Sequence, residues 1–170
     1  ENQYYKTHRR PLRDYVFGYF DVAAKLASSI APLSNAVMQI PMFKNMMAKA
    51  LEITPQRPFP KFTNQRAKTL TTKPRSHGEK IIFLSDPFSR YIEPQVEQAA
   101  FELLAVCGYE VCVVPVVGAG AALLSKGFLE AAKRHAGKML DALNQLDPQN
   151  EATIVGIEPP EIYTLKHDYL

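Results

Sequence analysis

Cysteine is scarce: Cys107 and Cys112 are the only two in 170 residues, and tryptophan is absent. Two thiols exclude a disulfide-dense secreted scaffold and any four-cysteine zinc or iron–sulfur site built within the chain. No apolar run approaches the roughly 20 residues of a spanning helix, so no membrane span is expected. Neither sign of charge dominates. Twenty Lys and Arg against 17 Asp and Glu leave a net charge of +3, too small to imply nucleic-acid binding by itself. The opening residues Glu1-Asn2-Gln3-Tyr4-Tyr5 carry neither an initiator Met nor signal-peptide anatomy. With an equally abrupt end at Asp168-Tyr169-Leu170, the expectation is a piece of a longer polypeptide in a reducing, cytoplasmic setting.

What is present is ordinary globular material, 46% hydrophobic and 22% charged. Such a chain supplies about one domain and needs no metal or disulfide to fold. Residues 1–52 read as a helical connector. Pro11 suits a first helical position, and Leu12, Tyr15, Val16, Tyr19, Ala23, Leu26, Ala27 and Ile30 recur at helical steps. Pro32 is expected to stop that helix; Asn35–Ile40 and Met42–Leu51 then form shorter apolar segments. Met38, Met42, Met46 and Met47 read as filling for core gaps.

Residues 53–79 read as an extended, basic linker. Pro55, Pro58, Pro60 and Pro74 remove backbone donors, while Arg57, Lys61, Arg66, Lys68, Lys73 and Arg75 add charge. A phosphate-binding arm is one reading. A solvated strap over the protein's own surface is favoured, because stacking aromatics are limited to Phe59 and Phe62.

From Lys80 the pattern becomes strand, helix, strand, helix, strand, which predicts an α/β unit over 80–170 with a small parallel sheet and right-handed crossovers. Ile81–Leu84 is apolar throughout, as expected of a strand buried on both faces. Glu93-Pro94 opens a helix with Val96, Ala99, Ala100, Leu103 and Leu104 inward, stopped by Gly108. Val111–Val114 is the second strand. A helix from about Leu123 to Leu146 is expected to bury Phe128, Leu129, Ala132, Ala136, Leu140 and Leu143. Thr153–Ile157 is the third strand, and Pro159-Pro160 starts a further helix.

Candidate chemistry gathers at the loop Gly118-Ala119-Gly120-Ala121, at the carboxyl end of the second strand, where open α/β sheets place ligands. The dinucleotide fingerprint fails, because Leu123 stands where a third glycine belongs, and no Gly-Lys-Ser/Thr follows. An anion site and a ligand-free tight turn both remain open. Cys107 and Cys112 fall on different elements and read as buried, inert thiols. His8, His77, His135 and His167 lack metal-binding spacing. Asp86, just past the first strand, suits either a catalytic carboxylate or a cap for the turn at Pro87; capping is favoured. No complete catalytic constellation and no metal site is expected.

The stretches Phe83-Leu84-Ser85-Asp86-Pro87-Phe88-Ser89-Arg90-Tyr91-Ile92-Glu93-Pro94, Cys107-Gly108-Tyr109-Glu110-Val111, Leu123–Ala132 and Gly156-Ile157-Glu158-Pro159 together carry a resemblance. They are similar to the cysteine-rich "CCG" domain of iron–sulfur oxidoreductases such as the heterodisulfide reductases and the iron–sulfur component of glycolate oxidase. Tyr4–Tyr15 resembles the connector after the ferredoxin-like module in large fused FAD-linked oxidases, relatives of D-lactate and D-2-hydroxyglutarate dehydrogenases. The resemblance implies a parent using FAD and 4Fe-4S clusters to oxidise a D-2-hydroxy acid. Its implied partners are the upstream flavin and ferredoxin-like modules of the same polypeptide and an electron-carrier protein or quinone. In that family paired cysteines precede the Leu-Ser-Lys-Gly segment, and Ser-Cys follows the Glu-Pro turn. Here Gly118 and Ala119 stand at the first place, followed by Gly120, and Pro160 and Glu161 stand at the second. This copy is expected to hold no cluster and to serve as a structural or docking domain; a non-catalytic scaffold is the alternative.

Overall fold

The computed structural model describes residues 3–68 and 79–169. Its architecture is α/β, with a three-stranded parallel sheet flanked by helices. Strands β1 (Lys80–Leu84), β2 (Glu110–Val113) and β3 (Thr153–Gly156) lie in the order β2-β1-β3. Ile82 pairs with Cys112 on one side and Ile154 on the other. Ile81 to Leu84 are all buried in this central strand, as a continuous apolar run requires. Side chains alternate between faces. Phe83 meets Phe101 of α6 (Pro94–Val106) edge-on at 4.8 Å, while Ile82 and Leu84 share a cluster with Met139, Ala142 and Leu143 of α8 (Leu129–Leu146).

The crossover helices depart from the sequence reading in two ways. The expected helix from Leu123 to Leu146 is two helices, α7 (Ala121–Ser125) and α8. Gly127, at φ +69°, ends α7, with Gly127 N–H donating to Leu124 O and Phe128 N–H to Leu123 O, both at 2.9 Å. This is the glycine-dependent stop also made by Gly108 after α6. The buried faces also differ. On α6 they are Glu97 and Phe101, whereas Val96 and Leu103 are exposed. On α8, Met139 and Ala142 replace the expected Leu129 and Leu140, which are exposed. Because α6 is apolar on most sides, its periodicity does not select a face.

The N-terminal helices are α1 (Leu12–Gly18), α2 (Phe20–Ser29), α3 (Ala31–Gln39) and α4 (Pro41–Leu51). The expected single helix from Pro11 to Ile30 breaks at Tyr19, and Pro32 lies in the first turn of α3 rather than stopping a helix. A proline there forfeits only an amide that has no intrahelical partner. The apolar stripe is likewise not the buried one. Leu12, Tyr15, Leu26 and Ile30 are exposed, while Asp14, Gly18, Ala24 and Ser28 are buried. Met42 and Met46 are exposed rather than in the core, and Met38 packs on the cluster of Ala24, Ala31, Phe62 and Tyr91.

Small buried residues let α1 approach the α/β unit closely. Phe128 is the hub: Tyr15 and Tyr19 meet its ring at 5.2 and 5.0 Å, and the Arg10 guanidinium lies 4.1 Å from its centre. Arg10 also donates to the Lys126 and Gly127 carbonyls, and Asp14 pairs with Lys126 at 3.5 Å. A Cβ on Gly18 would stand 2.6 Å from the Phe128 ring. Gly18→Val is therefore expected to wedge this junction and cost about 1–3 kcal/mol by overpacking, read as a lower urea midpoint.

Residues 53–68 lie over the helices as a strap. Asn35 holds the Phe62 backbone through both its amide nitrogen and oxygen, Thr63 N–H donates to Tyr91 O at 2.9 Å, and Arg66 covers the Tyr91 ring. Lys73, Pro74, Arg75 and His77 lie outside the described residues.

Candidate functional site

The site begins where β1 and β2 end. Asp86, the residue after Ser85, caps α5 (Pro87–Tyr91): its Oδ1 accepts from the Phe88 and Ser89 amides at 2.9 and 3.0 Å. This is the capping expected of an Asp before Pro87. Gly118 N–H donates to Ser85 O at 2.7 Å, tying the loop after β2 to the end of β1. Gly118 and Gly120 have φ of +69° and +84°, in the left-handed region that glycine enters without strain.

Into this loop reaches Glu161 from α9 (Pro159–Tyr163). Its Oε2 accepts from Ala119 N–H at 2.6 Å and Ala121 N–H at 3.3 Å. The loop amides of Ala119 and Ala121 are thus engaged by a side chain of the protein. His135 of α8 donates from Nε2 to Gly118 O at 2.8 Å, since a carbonyl only accepts, and Tyr169 OH donates to Ala119 O at 2.7 Å. Burial raises the Glu161 pKa, opposed by the two amides and by His135. Burial, with the Glu161 charge beside it, likewise raises the Tyr169 phenol.

Four of the five positions singled out in the sequence therefore meet: Gly118, Ala119, Gly120 and Glu161. Pro160 does not, lying exposed in the first turn of α9. Beside the four opens a cavity of about 420 Å³, bounded by Phe17 and Phe20 of the N-terminal helices, Phe88 of α5 and Leu123 of α7. Glu161 and His135 form its polar wall, and Asp21 and Lys126 also line it.

His135 and Tyr169 escaped the sequence reading. For His135 a signal existed: with Ala132, Met139 and Ala142 it makes a stripe at three- and four-residue steps, the buried face of α8. Tyr169 offered none. The two thiols lie apart from the site, on the end of α6 and in β2; Cys107 is exposed rather than buried.

An iron–sulfur cluster is held by thiolates. At Gly118, Ala119 and Glu161 the donors are one carboxylate and backbone amides already bonded to it, so these residues do not fit a cluster. Among the described residues, no three His, Cys, Asp or Glu side chains come together as a metal site. No helix among them is long and apolar enough to cross a membrane.

No protein-family model and no solved structure matches the chain. Three curated proteins do, each a D-2-hydroxyglutarate dehydrogenase. The chain is 24% identical to that of Pseudomonas putida over 178 residues, 24% to that of Pantoea ananatis over 182, and 22% to that of Escherichia coli over 178. Each alignment takes in 98% of this chain but only 17–18% of the relative. The chain is thus similar, along its whole length, to a small part of larger oxidoreductases.

Proposed function

We propose that the chain is a structural and docking part of a larger flavin- and iron–sulfur-dependent oxidoreductase that oxidises a D-2-hydroxy acid. The observation that carries this reading is the end-to-end similarity to under a fifth of three D-2-hydroxyglutarate dehydrogenases. In the parent, a flavin would supply the hydride acceptor for the hydroxy acid, and iron–sulfur clusters elsewhere the route for electrons to a quinone or carrier protein. The residues here bind neither group. Arg10, Phe128 and Gly18 instead hold residues 1–52, the helical connector, against the α/β unit that starts at Lys80, with 53–79 as the linker between them. Glu161 replaces a thiolate as the group that organises the loop after β2.

The test has two arms. Anaerobic reconstitution of the chain with ferrous iron and sulfide is expected to leave no stoichiometric iron bound; retained iron overturns the loss of the cluster site. The longer native polypeptide is expected to show flavin absorbance that bleaches with D-2-hydroxyglutarate. A colourless, inert polypeptide overturns the oxidoreductase reading and leaves a scaffold.

A further inference from the structure

We infer that the cavity beside Glu161 is a binding site for a small organic ammonium compound with an apolar body. The lining of this cavity carries the inference, independently of the parent enzyme's activity. Its volume, about 420 Å³, falls in the range of small-molecule sites, which combine apolar walls with a few convergent polar groups. Phe17, Phe20, Phe88 and Leu123 supply the walls. Aromatic faces also attract cations.

The polar groups are acceptors. Both hydrogen bonds that Glu161 accepts from described residues end on Oε2, which leaves Oε1 for an occupant. His135 also lines the cavity, with its Nε2 proton committed to Gly118 O. Asp21 adds a carboxylate to the lining. The positive charge of Lys126 is met by Asp14 at 3.5 Å. Acceptors and negative charge on aromatic walls match an N–H donor carrying positive charge, and repel a carboxylate.

The charged and titratable groups around Glu161 are His135 from α8, Asp86 from the turn after β1 and Tyr169 beyond α9. Acidification protonates Glu161, and the loss of its negative charge opposes a cation. Affinity is therefore expected to fall as pH drops.

The experiment is a titration of the isotopically labelled chain, followed at the Gly118, Ala119, Gly120 and Ala121 amide signals. The probes are benzylammonium, the neutral benzyl alcohol and the anionic phenylacetate. Benzylammonium is expected to shift these signals with at least tenfold higher affinity than either other probe. Glu161→Gln keeps an acceptor for the two amides and is expected to lose at least tenfold in that affinity. Leu123→Trp, which fills the cavity from an apolar wall, is expected to abolish the shifts. No shifts with benzylammonium, equal binding of benzyl alcohol, preference for phenylacetate, or unchanged binding by Glu161→Gln each overturns the inference.

Discussion

Replacing Arg90 by Met is expected to destabilise the protein by about 3–5 kcal/mol, the cost of leaving a buried charge without its partner. Glu97 is fully buried on the inner face of α6, and the Arg90 guanidinium lies 3.3 Å from its Oε1. That contact is an ion pair without hydrogen-bond geometry: neither Glu97 oxygen has a hydrogen-bond partner among the described residues, and Arg90 Nη2 donates to Ser85 Oγ at 2.6 Å. In Arg90→Met the Glu97 carboxylate keeps its full desolvation penalty and loses the Arg90 cation that offsets it. Urea unfolding measures the loss, and a thermal midpoint lower by on the order of 10 °C accompanies it. The double variant Arg90→Met, Glu97→Leu is expected to recover most of the stability, because well-packed apolar residues replace buried pairs at little cost. A double variant as unstable as the single one would show that Arg90 acts through Ser85 instead.

Glu161→Leu is expected to cost about 1.5–3 kcal/mol, since the Ala119 and Ala121 amides lose a charged acceptor. Glu161→Gln restores one acceptor and is expected to cost less. The pH dependence separates charge from hydrogen bonding. Burial raises the folded-state pKa of Glu161 above its ordinary value of 4.5. Below that ordinary value, folded and unfolded chains both hold the proton, and the contribution of Glu161 is complete. As pH rises through the raised value, the unfolded chain has already released its proton while the folded chain must ionise a buried group, so that contribution is lost. Wild-type stability relative to Glu161→Gln is therefore expected to decline across this window, measured by urea midpoints at successive pH values. A flat difference would mean that Glu161 titrates as if solvated.

Much of the frame was readable in one dimension, and the misses share a cause. Ile81–Leu84 forms a buried central strand because four consecutive apolar residues have no solvent-facing alternative. Gly108 and Gly127 both end helices in the left-handed region, yet only the first stands between a helical and a strand pattern, where a stop is legible. Gly127 stands between two helical patterns that merge into one. Asp86 before Pro87 was legible as a cap because the chemistry of capping is local. The faces of α1, α2 and α6 were not legible: each carries apolar residues on several sides, and the buried face is chosen by the neighbour. Gly18 and Ala24 are buried because they are small enough for close approach, a property that a hydrophobic count does not register.

The amino-acid sequence by itself determined the alternation of strands and helices, because short-range periodicity suffices for it. Only the tertiary structure decided which side chains meet the loop after β2. Glu161 lies 42 residues beyond Ala119, and His135 and Tyr169 reach the same loop from two further elements. Parallel crossovers bring such distant residues to one end of the sheet, and the burial that results, not any local motif, raises the pKa of that carboxylate.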